Sequence, residues 1–198
     1  MNSPTIRPER PEDYNAILRL TYEAFLTLDY PGRRRIDEHY LVHLLRDTEF
    51  PLKELCFVAE SAGEIVGHIL YTRGVVGDKP VVSFGPLSVP PKHQKQGIGK
   101  ALVFHSMEKA RAMGYGAVLI TGVPAYYPKL GFLRGRAFGV TLPDGTAPDF
   151  LMGYELIPGY LSGGGVLRFE AEEAFARAEE DDEGFCAFHQ SFMRVYYP

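Results

Sequence analysis

Cysteine is scarce: Cys56 and Cys186 are the only two in 198 residues, and they lie too far apart for a disulfide framework or a cysteine-based metal site. Long apolar runs are missing, since no stretch approaches the ~20 residues needed to span a bilayer. Residues 1–11 are polar and proline-rich, unlike a secretory leader. Charge of one sign is scarce too. Lys and Arg number 21 against 25 Asp and Glu, a formal net charge of -4, which leaves no footprint for general nucleic-acid binding. No internal repeat is visible. The expectation is a soluble cytoplasmic chain with neither membrane nor nucleic acid as a partner. It is long enough for one domain with a sizeable core plus an appendage.

What is present centres on Gln94-Lys95-Gln96-Gly97-Ile98-Gly99-Lys100. This stretch follows an apolar run, Val81 to Val89, and opens a helical pattern reaching about Gly114. Its apolar stripe is Leu102, Val103, Ser106, Met107, Ala110 and Met113. Gly97 and Gly99 let the backbone approach an anion, because no Cβ intervenes. The first helical turn then offers unpaired N–H groups and the positive end of the helix dipole, with Lys95 and Lys100 adding charge. Two nucleotide loops are excluded by missing residues. A P-loop needs Ser or Thr after its lysine, and Ala101 follows Lys100. A dinucleotide loop needs a third glycine where Leu102 stands.

Around this stretch the periodicity predicts a strand at Thr5–Pro8 and a helix opening at Pro11-Glu12-Asp13 with an apolar face of Ile17, Leu18, Thr21, Tyr22 and Phe25. A loop containing Pro31-Gly32 follows, then a second helix over 36–47. A hairpin joins 55–59 to 65–71 through Ser61-Ala62-Gly63-Glu64. The strand over 81–89 is interrupted at Gly85-Pro86, which predicts a bulge or a free edge. Further strands are expected at 117–120, 138–142 and 150–157, with a helix between the first two. Beyond Ser162-Gly163-Gly164-Gly165 come a short strand (166–169), an acidic helix (171–181) and a tail with Phe185, Phe188, Phe192, Tyr196 and Tyr197 at near-helical intervals.

The pattern Gln-x-x-Gly-x-Gly directly after a strand ending Pro86-Leu87-Ser88-Val89-Pro90-Pro91 resembles motif A of the GNAT acyl-CoA N-acyltransferases. Pro124-Ala125-Tyr126-Tyr127-Pro128-Lys129-Leu130-Gly131-Phe132 resembles motif B of the same family, and the Pro-Ala-Tyr-Tyr variant is similar to a bacterial branch of predicted N-acetyltransferases. The two motifs cover roughly residues 81–132, with fainter agreement from Thr5 to Pro158. The resemblance implies an α/β (α+β) fold: a mixed, mostly antiparallel central sheet with helices on both faces and a splayed strand pair. It implies a GNAT domain over 1–161, leaving 162–198 as an extension that packs on the core or makes a dimer contact. The expected state is monomer or homodimer.

The resemblance further implies acetyl-CoA as co-substrate, with no metal. Gln94, Lys95, Gln96, Gly97, Ile98, Gly99 and Lys100 would grip the coenzyme A pyrophosphate. Leu87, Ser88 and Val89 would offer backbone groups to the pantetheine arm and acetyl carbonyl, with the splay expected at Gly85-Pro86. Tyr127 occupies the position that protonates the leaving thiolate. A phenol, with a reference pKa of ~10, is still a proton donor at neutral pH. Tyr126 would pack on the pantetheine. The acceptor is expected to be a primary amine on a small molecule or peptide, attacking directly in a ternary complex. Neither cysteine has a recognisable activating partner, which argues against an acyl-enzyme.

The base is the weak point. The strand over 81–89 carries no carboxylate, so Glu23, Asp29, His68 and a water relay all stay open, with the relay preferred. The same absence supports an alternative: a non-catalytic acyl-CoA-binding sensor or interaction module. A nucleotide-phosphate binder is a third reading. His39 and His43 have the i,i+4 spacing of a metal pair but no third ligand. Arg33-Arg34-Arg35 is either a solvated loop or an attraction for an acidic acceptor.

Overall fold

The protein is described from a computed structural model, which covers residues 4–26, 28 and 35–198. Asp29, Pro31, Gly32, Arg33 and Arg34 lie outside the described residues.

The chain opens with strand β1 (Thr5–Pro8) and a 3-10 turn (Pro11–Asp13) leading into α1 (Tyr14–Phe25). Asp13 fixes that entry. Its carboxylate accepts from both terminal nitrogens of Arg7, at 2.7 and 2.9 Å, and from the Arg10 backbone N–H at 2.8 Å. Helix α2 (Glu38–Arg46) follows, then β2 (Phe57–Ser61), β3 (Glu64–Val76) and β4 (Lys79–Ser88) as an antiparallel meander. Helix α3 (Ile98–Ala112) crosses over to β5 (Ala117–Thr121), which lies parallel to β4. After β5 come β6 (Leu133–Arg134), β7 (Val140–Thr141), β8 (Leu151–Glu155), β9 (Gly165–Phe169), α4 (Glu172–Glu180) and α5 (Asp182–Tyr196).

The strand order is β1-β2-β3-β4-β5-β8-β6, antiparallel except at β4–β5. Strand β3 is long enough to use one edge twice. Its first half pairs with β2, and Gly74–Val76 pair with β9. Helix α3 covers one face, where Leu102, Val103, Met107 and Ala110 meet Ile69, Tyr71 and Phe84. Gly67 permits that approach: a Cβ there would stand 2.8 Å from Ile98 Cγ2. The other face is covered by α1 and α2, through Ile17, Val42 and Val58, and by α4 and α5 packing on α2 through Tyr40, Leu45, Ala174 and Phe185. The mixed, largely antiparallel sheet with helices on both faces agrees with the expected fold class.

Two local expectations need correction, and one short strand was not expected. The helix expected after β5 is only a 3-10 turn, Tyr127–Leu130, because Pro128 occupies its start and Gly131 (φ 93°) closes it. The strand expected at 138–142 shrinks to β7, since Gly135–Phe138 turns as a 3-10 helix. The two-residue β6, paired with β8, carries no alternation that could have revealed it. The segment 162–198 begins with β9, inside the sheet, and its aromatic tail is the helix α5 lying on α1 and α2.

Candidate active site

Strand β4 stays paired with β3 as far as His68 opposite Ser88, yet meets β5 at a single position, Val82 opposite Val118. From Ser83 onward, no strand among the described residues pairs with that edge of β4. An open edge of this kind presents backbone N–H and C=O groups to a ligand. The sequence placed the parting at Gly85-Pro86; the strands part earlier, after Val82. Phe84, just past that pair, stacks its ring 5.7 Å from Tyr127 and 6.1 Å from Phe132, so bulky rings occupy the divergence. Gly85-Pro86, joined by a cis peptide, makes a bulge: two residues of β4 face one of β3 between the pairs Ile69–Leu87 and Tyr71–Phe84.

The chain then turns through Pro91–His93 into the loop before α3. Two glutamines brace this loop. Gln94 Nε2 donates to the Val89 carbonyl at 3.0 Å, and Gln96 Nε2 donates to the Lys92 carbonyl at 3.2 Å. Each amide thus commits one N–H to the backbone, and the Val89 carbonyl accepts one of them. Lys95 (φ 61°) and Gly97 (φ 84°) both adopt left-handed conformations, which is costly for a lysine and free for a glycine. No side chain caps α3 at Gly97, and its hydrogen-bond ladder starts with Ala101 N–H on the Gly97 carbonyl at 2.9 Å. The N–H groups of Ile98, Gly99 and Lys100 therefore precede the ladder and stay available. Lys95 and Lys100 are exposed beside them, Lys100 Nζ 5.8 Å from the Phe104 ring centroid.

Gly99 is where the parts converge. A Cβ at that position would lie 3.1 Å from Tyr126 Oη, 3.7 Å from Val89 Cγ2 and 3.8 Å from Leu87 Cδ2. The open strand end, the helix N-terminus and Tyr126 thus line one small space. Ile98 is buried and anchors the helix below it. Ser88 differs from its neighbours: its side chain is fully buried and donates to Thr21 Oγ1 at 3.1 Å, so it faces α1 while Leu87 and Val89 face Gly99.

The two tyrosines have distinct surroundings. Tyr126 is 37 % exposed, and burial of the rest of its ring raises the phenol's pKa, keeping the hydroxyl protonated. Tyr127 is half-buried between Phe84 and Phe132, and a Cβ on Gly122 would overlap its ring. That packing holds the Tyr127 side chain at the root of the divergence.

The base candidates are placed elsewhere. Glu23 Oε1 is shared by Arg19 Nε and Tyr197 Oη, each at 3.0 Å. His68 is fully buried, with Nε2 2.8 Å from Glu9 Oε2, and Arg46 lies 4.0 Å beyond on the same oxygen. Desolvation lowers the imidazole pKa against the pull of Glu9, so His68 is a neutral core histidine. Asp29 lies outside the described residues. Burial pushes the Cys56 thiol up to about 12, which removes it as a thiolate nucleophile. His39 is buried with Nε2 3.1 Å from His189 Nδ1, and His43 stacks on Phe188 at 4.6 Å. Among the described residues no three His, Cys, Asp or Glu side chains form a cluster fit for a metal ion. None of their helices is long and apolar enough to cross a membrane. The Thr21–Ser88, Glu9–His68 and Gly99–Tyr126 contacts had no signal in the sequence, because each joins residues far apart in the chain.

The sequence profile of the Acetyltransferase (GNAT) family matches residues 17–132, more than half of the chain, and the chain belongs to that family. It is 36% identical over 96 residues to the N-acetyltransferase YjhQ of Escherichia coli K12, a match covering 46% of this chain and 53% of that protein. The chain therefore matches about half the length of YjhQ. It is 30% identical over 132 residues to the N-acetyltransferase YhbS of the same strain, covering 64% of this chain and 72% of YhbS. The fold of YhbS in complex with CoA superposes with a TM-score of 0.75 at 26% identity, covering 89% of this chain and 94% of that one. A GNAT family acetyltransferase from Brucella melitensis in complex with acetyl-CoA gives 0.66 at 27% identity, over 86% of this chain and 97% of that one.

Proposed function

We propose that this protein transfers an acetyl group from acetyl-CoA to a primary amine of a small molecule or peptide. The observation that carries the proposal is the convergence at Gly99: an open β4 edge, an uncapped helix N-terminus and Tyr126 surround one space. Backbone N–H groups from Gly97 to Lys100 suit a pyrophosphate. The β4 edge suits the amide groups of pantetheine, which can add to it as a short strand would. The named ligands of the two structural relatives support the same donor.

The reaction is a direct displacement. The amine nitrogen attacks the thioester carbonyl carbon, an N–C bond forms, and the C–S bond breaks. A β4 backbone N–H at Leu87 or Val89 stabilises the oxyanion, a role worth about 2.7–4 kcal/mol per donor. Tyr127 delivers its proton to the departing thiolate, and the amine's proton leaves through water, because β4 has no carboxylate. That lack also favours a second reading, an acyl-CoA-binding sensor without catalysis. Calorimetry with acetyl-CoA, followed by free-thiol release across a broad amine panel, separates them. Binding with thiol release supports the transferase, binding without release supports the sensor, and no binding refutes both.

A further inference from the structure

The C-terminal helix α5 grips both ends of the connection between α1 and α2. At its N-terminal end, Arg35 reaches into the α4–α5 junction. Arg35 Nη1 donates to Asp182 Oδ1, and Nη2 donates to the carbonyls of Ala178, Glu179 and Asp181 at 2.9, 3.1 and 3.4 Å. These carbonyls end α4, so the guanidinium caps it, and it also lies 4.4 Å over the Phe185 ring. Midway along α5, His189 Nδ1 meets His39 Nε2 of α2 at 3.1 Å. At the far end, Tyr197 Oη donates to Glu23 Oε1 at 3.0 Å, and Tyr22 packs against Phe192 and Tyr197 with centroids at 5.2 and 5.7 Å. The helix has 15 residues and therefore spans about 22 Å, with a contact at each end and one between.

These contacts lead to the active site. Thr21, next to Tyr22 and Glu23, holds Ser88 of the open strand. Leu87 and Val89 turn toward the donor loop, so the α1 side of β4 is the side the donor does not fill. Tyr22, beside Thr21, has its ring 5.0 Å from that of His39, so the last turn of α1 and the first turn of α2 lie together behind that strand end. We infer that α5 is a positioning element for the acceptor: by fixing Glu23, Arg35 and His39 it sets which amines reach the thioester, and it takes no part in holding acetyl-CoA. The inference rests on the acetyl-transfer reading above.

The test uses full-length protein carrying Arg35→Gln or Tyr197→Phe, with Arg35→Lys as the conservative control. The amines are spermidine, glucosamine, phenethylamine and a tetrapeptide with a free N terminus. The KM for accepted amines should rise about fivefold or their rank order should change, while acetyl-CoA affinity stays within about twofold. Hydrogen exchange over 20–26 and 38–42, measured without ligand, should accelerate about tenfold, with α3 unchanged. Arg35→Lys should recover part of both effects. Unchanged exchange overturns the inference, and so does acetyl-CoA affinity falling in step with the amine KM. If wild type binds acetyl-CoA but acetylates none of the four, the broad amine panel decides the transferase reading, and the exchange result decides whether α5 fixes these turns.

Discussion

Helices α3 and α5 are both 15 residues long, and their N-termini are finished in opposite ways. At α5 the chain satisfies its own orphan donors. Asp181 Oδ1 accepts from Gly184 N–H at 2.7 Å, and the other carboxylate oxygen accepts from Tyr40 Oη at 2.9 Å and Arg177 Nε at 3.2 Å. The Gly184 N–H, Tyr40 and Arg177 together hold that carboxyl below the usual range. At α3 the cap position is Gly97, which makes no side-chain cap hydrogen bond to the first turn. The same physical need, first-turn N–H groups without partners, is met in part at α5, where Asp181 takes the Gly184 N–H, and by no side-chain cap at Gly97 of α3. The uncapped helix end beside the open strand edge is the proposed acetyl-CoA site; the end capped by Asp181 is fixed by the chain itself.

That contrast can be broken from either side. The largest effect belongs to the donor side. Tyr127→Phe should lower thiol release with an accepted amine by about 100-fold or more, with acetyl-CoA binding by calorimetry nearly unchanged. Equal turnover would remove Tyr127 from the chemistry. Tyr126→Phe should leave turnover close to wild type, which separates the two neighbours. On the sealed side, Asp181→Ala should cost about 0.5–2 kcal/mol of folding stability in denaturant titration, with acetyl-CoA affinity intact. A loss of affinity there would mean the two helix ends are coupled.

The smallest effect sharpens the comparison through pH. Burial lowers the His68 pKa from 6.5, and Glu9 is held below 4.5 by His68 and Arg46 despite its own desolvation. Both folded values lie below the unfolded ones. The unfolded chain therefore binds more protons in each window, and stability falls as pH falls. Thermal unfolding should thus occur at lower temperature as pH drops from 7 to 5, within the His68 window. His68→Gln should flatten that stretch of the curve, and an unchanged slope would contradict the assignment.

The proposed donor side follows short motifs in the sequence because its backbone geometry restricts residue type. Gly97 must take a left-handed conformation, Gly99 must leave room beside Tyr126, and Tyr127 must stand four residues before Gly131. Such demands write short motifs. The mixed sheet followed from alternation and turn residues in β1 to β5. The contacts on the α1 and α2 side of the sheet wrote nothing comparable. Thr21 with Ser88, Arg35 with the end of α4, and Glu9 with His68 are pairs separated by tens of residues or more, each of a type common on any surface or in any core. The parting of β4 from β5 after Val82 also escaped notice, because ring packing by Phe84, Tyr127 and Phe132 accompanies it rather than the proline next to it.

The central claim is that the open end of α3 is an anion site, and one substitution tests it. Gly99→Asp places a carboxylate in the first turn of α3, where the dipole favours a negative charge and aspartate is no worse a helix former than glycine. The added side chain requires the exposed Tyr126 hydroxyl to shift by a few tenths of an ångström, and the melting temperature should hold within a few degrees. The same carboxylate would repel a pyrophosphate, so acetyl-CoA affinity by calorimetry should fall at least tenfold, about 1.4 kcal/mol. A folded Gly99→Asp protein that binds acetyl-CoA as tightly as wild type would contradict the account.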